Sequence, residues 1–181
     1  KLATLINKYP KDFLYSKSDP FKTLARSIIG QQISVKAAQS VWDKFENRCK
    51  HIYPKKVLNL HHMTLKSCGL SHQKISYLRC LSIAFIDKTL DPSLWVKLED
   101  EEIISQLTKI KGIGRWTAEM ILIFKLGRPN IMPVTDLGIQ KGYSLIFGLE
   151  SKGSPQEILH RSRLWEPYRS TVAIYCWKAV G

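Results

Sequence analysis

Apolar residues recur at intervals of three and four along almost the whole chain, and sustained strand-like alternation is missing. That spacing lines one side of a helix and leaves the other for water, so it restricts the chain to a helical architecture. Three stripes carry the pattern: Val35, Ala38, Val41, Trp42 and Phe45; Trp116, Met120, Ile123 and Phe124; and Tyr168, Val172, Tyr175, Cys176 and Ala179. Helix starts are marked where a capping side chain precedes proline, at Asp19-Pro20, Asp91-Pro92 and Ser154-Pro155. The capping oxygen accepts from an orphan N–H of the first turn, and proline has no N–H to lose there. Glu157, three residues after Ser154, predicts a capping box. Breaks fall at Tyr53-Pro54, at Gly127-Arg128-Pro129 and from Glu150 to Gly153. The expectation is an all-α protein of roughly nine to eleven helices.

Charge narrows the partner. The chain of 181 residues has a formal net charge of +13, and 44% of it is apolar, enough for a substantial core. So basic a globular chain points to a polyanion, nucleic acid first, with a solvated basic surface or an acidic partner as the bland alternative. Cys49, Cys68, Cys80 and Cys176 lie far apart without a C-x-x-C pair and read as reduced, partly buried thiols. His61-His62 has no third residue spaced to complete a metal site, so a solvated loop is expected there. No apolar run has membrane-spanning length and nothing resembles a signal peptide, which predicts a chain that is neither membrane-embedded nor secreted. It opens on Lys1 rather than Met, so a further N-terminal piece is expected.

The most informative stretch runs from Leu107 to Ala118, where Lys111-Gly112-Ile113-Gly114-Arg115-Trp116-Thr117 joins two amphipathic helical patterns. Glycines at 112 and 114 admit backbone angles closed to other residues and let a ligand approach the main chain. The turn opens a helix N-terminus, whose free N–H groups and dipole favour an anion. Arg115, Lys109 and Lys111 add positive charge. A DNA phosphate, held without regard to sequence, is the anion this arrangement suits. A Gly-x-Gly turn between ordinary helices is the competing reading.

Downstream, Pro133-Val134-Thr135-Asp136-Leu137 leads into another helical pattern, with Asp136 24 residues beyond Gly112. Alone, Asp136 is a good N-cap. Capping is compatible with catalysis, because N–H donors favour the ionised carboxylate that a sugar cation needs beside it.

The hairpin followed by Val134-Thr135-Asp136 resembles the helix-hairpin-helix, Gly/Pro-Asp (HhH-GPD) superfamily of base-excision DNA glycosylases. Two more segments resemble its 3-methyladenine DNA glycosylase II branch, Arg26 to Ala38 and Trp165-Glu166-Pro167-Tyr168-Arg169-Ser170 running to Trp177. The resemblance covers about Pro20 to Trp177, in the family's order, and lacks the β-rich N-terminal domain of the typifying bacterial enzyme. It implies a two-lobed helical fold over residues 1–181 with the active site between the lobes. One lobe would span roughly 30–135, including the hairpin at 107–118, and the other the N-terminal segment plus roughly 136–181.

By that resemblance Asp136 is the catalytic carboxylate, and Trp116, Trp177, Met120 and Leu137 line a pocket for a base turned out of the duplex. Gln32, with Gln31 beside it, fills the gap left in the stack. Gly112, Gly114, Arg115, Thr117, Lys36, Lys109 and Lys111 grip phosphates. Backbone carbonyls of Thr108, Ile110 and Ile113 hold a structural monovalent cation, Na+ or K+, while no cofactor is required. Trp116 stands where bifunctional relatives carry a nucleophilic lysine, which implies a monofunctional enzyme without lyase chemistry. The implied substrate is duplex DNA bearing alkylated purines, with hypoxanthine or an oxidised purine as the alternative lesion, and a non-catalytic DNA binder as the alternative class. The expected protein is a monomer, nuclear in a eukaryote, and cytoplasmic with the nucleoid in a bacterium.

Overall fold

The computed structural model describes residues 2–8 and 19–181. It is all-α among those residues, with eleven α-helices: α1 Leu2–Lys8, α2 Pro20–Gly30, α3 Val35–Cys49, α4 Pro54–Asn59, α5 His62–Ser67, α6 His72–Ile86, α7 Asp100–Thr108, α8 Arg115–Phe124, α9 Leu137–Phe147, α10 Pro155–Ser162 and α11 Arg169–Val180. Two 3-10 turns, Pro92–Lys97 and Arg163–Trp165, complete the order. No described helix is long and apolar enough to cross a membrane.

Several starts are written locally. The Asp19 carboxylate accepts from the Lys22 N–H at 2.9 Å, and Ser34, Ser71 and Ser154 cap α3, α6 and α10 in the same way. Each such cap stabilises its helix by about 1 kcal/mol. Asp91-Pro92 starts a 3-10 turn rather than an α-helix. The Glu157 side chain does not reach back as the box requires; it accepts from the Tyr143 hydroxyl at 3.0 Å. Glu102 instead reaches back to the Glu99 N–H at the start of α7, at 2.8 Å.

The chain divides into two compact units, Lys17–Ala118, and Glu119–Gly181 with the N-terminal segment. The division falls inside α8 rather than near residue 135, and α2 belongs with the hairpin rather than with the other lobe. In the first unit α6 is the central helix, packed by α2, α4 and α5. Phe21, Leu24, Ile28, Trp42, Phe45, Leu78 and Trp95 are fully buried there. Val35, placed on the first apolar stripe, is 89% exposed, because α3 begins one residue beyond its Ser34 cap and buries only Trp42, Phe45 and Cys49. His61 caps α5 through Nδ1, and His62 stacks on His72, so the pair is structured rather than a solvated loop.

The second unit is built on α9 packed against α11, with α1 against α11 and α10 against α9. Its core joins Met132, Ile139, Tyr143, Ile146, Ile158, Val172, Ala173 and Cys176. Gly142 makes the central contact: a Cβ there would lie 1.9 Å from the Cys176 carbonyl oxygen, so α9 and α11 touch backbone to backbone. Ser170, at the start of α11, binds the segment ahead of α9 by accepting from the Ile131 N–H at 2.9 Å and donating to the Arg128 carbonyl. Tyr168, counted in the third stripe, is 65% exposed and precedes α11 rather than facing the core. All four cysteines are free, and Cys80 is less buried than the others.

Candidate active site

The first functional feature is the hairpin between α7 and α8. Here α7 ends with the Ile110 N–H on the Leu107 carbonyl at 3.1 Å and the Ile113 N–H on the Ile110 carbonyl at 3.0 Å. Gly112 follows at φ +93°, and a Cβ there would sit 2.2 Å from the Tyr77 ring. Glycine is therefore required at 112 twice over, by backbone angle and by space. Gly114 differs from the expectation: its φ is not left-handed, and a Cβ would meet nothing within 4 Å. Its carbonyl starts α8 by accepting the Ala118 N–H at 3.1 Å. Neither backbone angle nor space requires a glycine at 114.

The charged residues separate into two groups. Lys36, Lys109 and Lys111 are exposed. Arg115 is exposed too, but its guanidinium forks onto the Glu101 carboxylate, and that bonding holds Glu101 below the usual carboxylate range. A phosphate reaching Arg115 competes with Glu101. Thr117 is only 4% exposed, so its side chain is turned away from the surface that carries the lysines. Thr117 is the third residue of α8, whose inner face takes Thr117 and Ala118 into the core.

The loop between α2 and α3 carries the glutamine pair. Gln32 is exposed and sits at φ +56°, a conformation that costs a non-glycine residue on the order of 1–3 kcal/mol. Gln31 is not free to fill a gap beside it, since its side-chain Nε2 donates to the Gly112 carbonyl at 2.8 Å.

The second feature is the N-terminus of α9. Asp136 Oδ1 accepts from the Ile139 N–H at 2.8 Å, capping the helix as its sequence position requires. The same oxygen accepts from the Trp177 indole N–H at 2.9 Å, across 41 residues of sequence. Trp177 in turn lies 5.4 Å from Phe124, ring centre to ring centre. Gly138 permits this arrangement: a Cβ there would lie 2.8 Å from Trp177 Cδ1 and 3.0 Å from Asp136 Oδ1. Gly138 and Gly142 stand one turn apart on α9, so one small-residue face brings α11 close and leaves room for the indole. Neither glycine was singled out from the sequence; a Gly-x-x-x-Gly spacing following a capping aspartate was the available signal. Met120 is half-buried, whereas Leu137 is 65% exposed and Trp116 is 45% exposed. Trp116 and Met120 are one turn apart on α8.

A Gly-Ile-Gly hairpin between two helices, followed 24 residues on by a helix-capping aspartate, is the pattern of DNA-repair proteins of helix-hairpin-helix type. Residues 25–167 match the HhH-GPD superfamily of base excision DNA repair proteins, and the chain belongs to it. It is 33% identical to "DNA-3-methyladenine glycosylase 1" of Schizosaccharomyces pombe over 98% of this chain and 80% of that protein. A solved structure of the S. pombe 3-methyladenine DNA glycosylase in complex with abasic DNA superposes with a TM-score of 0.84, at 32% identity, over 98% of this chain and 88% of that one. A Bacillus halodurans DNA-3-methyladenine glycosidase superposes with a TM-score of 0.91, also at 32% identity, over 99% of this chain and 84% of that one.

Proposed function

We propose that this protein is a monofunctional DNA glycosylase that removes alkylated purines, such as 3-methyladenine, from duplex DNA. The observation that carries this reading is the Asp136 carboxylate, fixed by the Ile139 N–H and the Trp177 indole on one oxygen. The names of its relatives support the substrate class. An N3- or N7-alkylated purine is a cation and leaves readily as the C1′–N bond breaks, so no strong general acid is needed. Positive charge develops on the sugar, and the Asp136 carboxylate stabilises it. The same carboxylate takes the proton from the water whose oxygen bonds to C1′. The indole of Trp177 attracts a cationic base by roughly 0.5–2 kcal/mol over a neutral one. Met120 and Leu137 complete the proposed pocket.

Base removal inside a duplex requires the nucleotide to be turned out. Gln32 takes its place in the stack, its flat amide both stacking and bonding to the base opposite. The Gly112–Gly114 backbone and the exposed Lys36, Lys109 and Lys111 hold phosphates. The hairpin carbonyls of Thr108, Ile110 and Ile113 fit a monovalent cation by donor chemistry, being neutral oxygens at or beyond the carbonyl end of α7, where partial negative charge collects. Such an ion would supply positive charge beside a bound phosphate. The protein acts as a monomer.

The test is incubation with duplexes carrying single defined lesions, with and without subsequent alkali. The expected result is strand breakage at 3-methyladenine or 7-methylguanine only after alkali. Release of hypoxanthine or an oxidised purine alone would reassign the lesion. DNA binding with no abasic product from any lesion would make the protein a binder rather than an enzyme.

A further inference from the structure

The loop between α2 and α3 holds Gln32 in a left-handed conformation, φ +56°, that favours glycine. Gln31 at φ −58°, ψ 136° followed by Gln32 at φ +56° has the angles of a type II turn, whose third position is ordinarily glycine. Such strain persists only where surrounding structure overdetermines it, and it concentrates at functional positions. The loop borders an open cleft of about 430 Å³, lined also by Gln73, Lys74 and Tyr77 of α6. The restraint is a set of polar tethers, and they converge on one helix.

Lys74, on α6, donates from Nζ to the Ile29 carbonyl at 2.8 Å, at the end of α2. Burial pulls the Lys74 pKa down, which marks this ammonium as partly withdrawn from water rather than a floating surface charge. Tyr77, three residues later on the same helix, fills the space beside Gly112 that any Cβ would need. Its hydroxyl accepts from Gln73 Nε2, which fixes the ring. Gln31 closes the circuit by donating to the Gly112 carbonyl at 2.8 Å. At the far end of the loop Ser34 caps α3. Thus α6 fastens both the hairpin and the end of α2, and Gln31 links the two directly.

We propose that Gln31, Lys74 and Tyr77 are positioning residues, which lock the Gln32 loop to the hairpin so that phosphate grip and insertion of Gln32 into the duplex occur as one event. This rests on the reading of Gln32 as the residue that fills the vacated stack. The structure gives each tether a distinct chemistry, so each can be removed selectively. Leucine at 31 keeps most of the bulk and loses the donor. Glutamate at 31 is acceptor-only when ionised and faces the Gly112 carbonyl with repulsion, yet regains a donor when protonated.

The experiment uses the full chain and a duplex with 2-aminopurine opposite a tetrahydrofuran abasic analogue, read by fluorescence, alongside salt-dependent binding and single-turnover excision of 7-methylguanine. Circular dichroism melts verify folding for every variant. Gln32→Ala is expected to lower both the fluorescence change and the excision rate. Gln31→Leu should lower both by about three- to tenfold, the size of one lost hydrogen bond, with an unaltered slope of log affinity against log salt. In the Gln32→Ala background Gln31→Leu should add almost nothing. Gln31→Glu should regain fluorescence amplitude, relative to wild type at each pH, as pH falls through the carboxyl range. If Gln32→Ala has no effect, the stack-filling reading fails. If Gln32→Ala acts but Gln31→Leu and Gln31→Glu match wild type, or if their losses simply add to that of Gln32→Ala, the tether is only structural and the proposal falls.

Discussion

Replacing Gly138 with alanine perturbs the Asp136–Trp177 pair while leaving both residues unsubstituted. The new methyl would stand 2.8 Å from Trp177 Cδ1 and 3.2 Å from its Nε1, where carbon contacts normally need about 3.5–4.0 Å. The indole must therefore retreat by roughly 0.7–1 Å, and its 2.9 Å bond to Asp136 stretches past hydrogen-bond range. Losing a hydrogen bond to a charged group costs about 1.5–3 kcal/mol, which corresponds to roughly a 10- to 100-fold fall in rate if that bond holds the carboxylate in place. Stability falls too, by roughly 0–2 kcal/mol. Alanine favours the helix by up to about 1 kcal/mol, against about 1–3 kcal/mol of crowding. Single-turnover excision of an alkylated duplex, beside a thermal melt, separates the two effects. Trp177→Phe should give a similar loss of rate, and the double variant should lose little more than either single one. A Gly138→Ala protein that excises at the wild-type rate would refute the reasoning, since the indole bond would then play no part in placing the carboxylate.

The two hairpin glycines should separate cleanly. Gly112→Ala, with its left-handed φ and the Tyr77 ring in the way, should lose about 3 kcal/mol or more of stability. Gly114→Ala should melt like wild type but bind DNA more weakly, and wild-type binding should follow salt with a slope of about −4 for four or five phosphates. Borohydride reduction on a lesion-bearing duplex should trap no covalent complex, since Trp116 stands at the position of the lyase lysine in the related family; efficient trapping would identify another amine as nucleophile. Burial pushes the Cys176 thiol from an ordinary 9.0 up to about 12, so the unfolded chain ionises first. The contribution of this thiol to stability is complete below pH 9 and is lost as pH rises from 9 towards 12. Melts across that range should fall less steeply for Cys176→Ala than for wild type.

What the sequence made legible was mostly what is decided within a few residues. The Asp19 and Ser154 caps, the break at Pro54 and the glycine at 112 follow from local backbone chemistry, and the structure shows each of them. Longer-range partners were out of reach. Glu157 had the spacing of a capping box, but the Tyr143 hydroxyl competes for its carboxylate. Thr117 belongs to the hairpin in sequence and to the core in space. Gln31 was expected beside Gln32 in the gap, yet a carbonyl 81 residues away engages Gln31 and leaves Gln32 at the surface. Asp136 was legible as a cap, and the family resemblance pointed to Trp177. The hydrogen bond joining them depends on how closely α11 approaches α9 at Gly142, which periodicity does not encode.

The most direct test of the account is Asp136→Asn. Asparagine caps a helix as well as aspartate does, so its side-chain oxygen can still accept from the Ile139 N–H and the Trp177 indole. The substitution removes the negative charge and the proton acceptor while preserving the geometry. Single-turnover excision from a duplex with one alkylated purine should fall by on the order of 10²–10⁴-fold. Affinity for the same duplex and the thermal melt should be close to wild type. Excision at the wild-type rate by a folded Asp136→Asn protein would contradict the account and leave Asp136 as a helix cap.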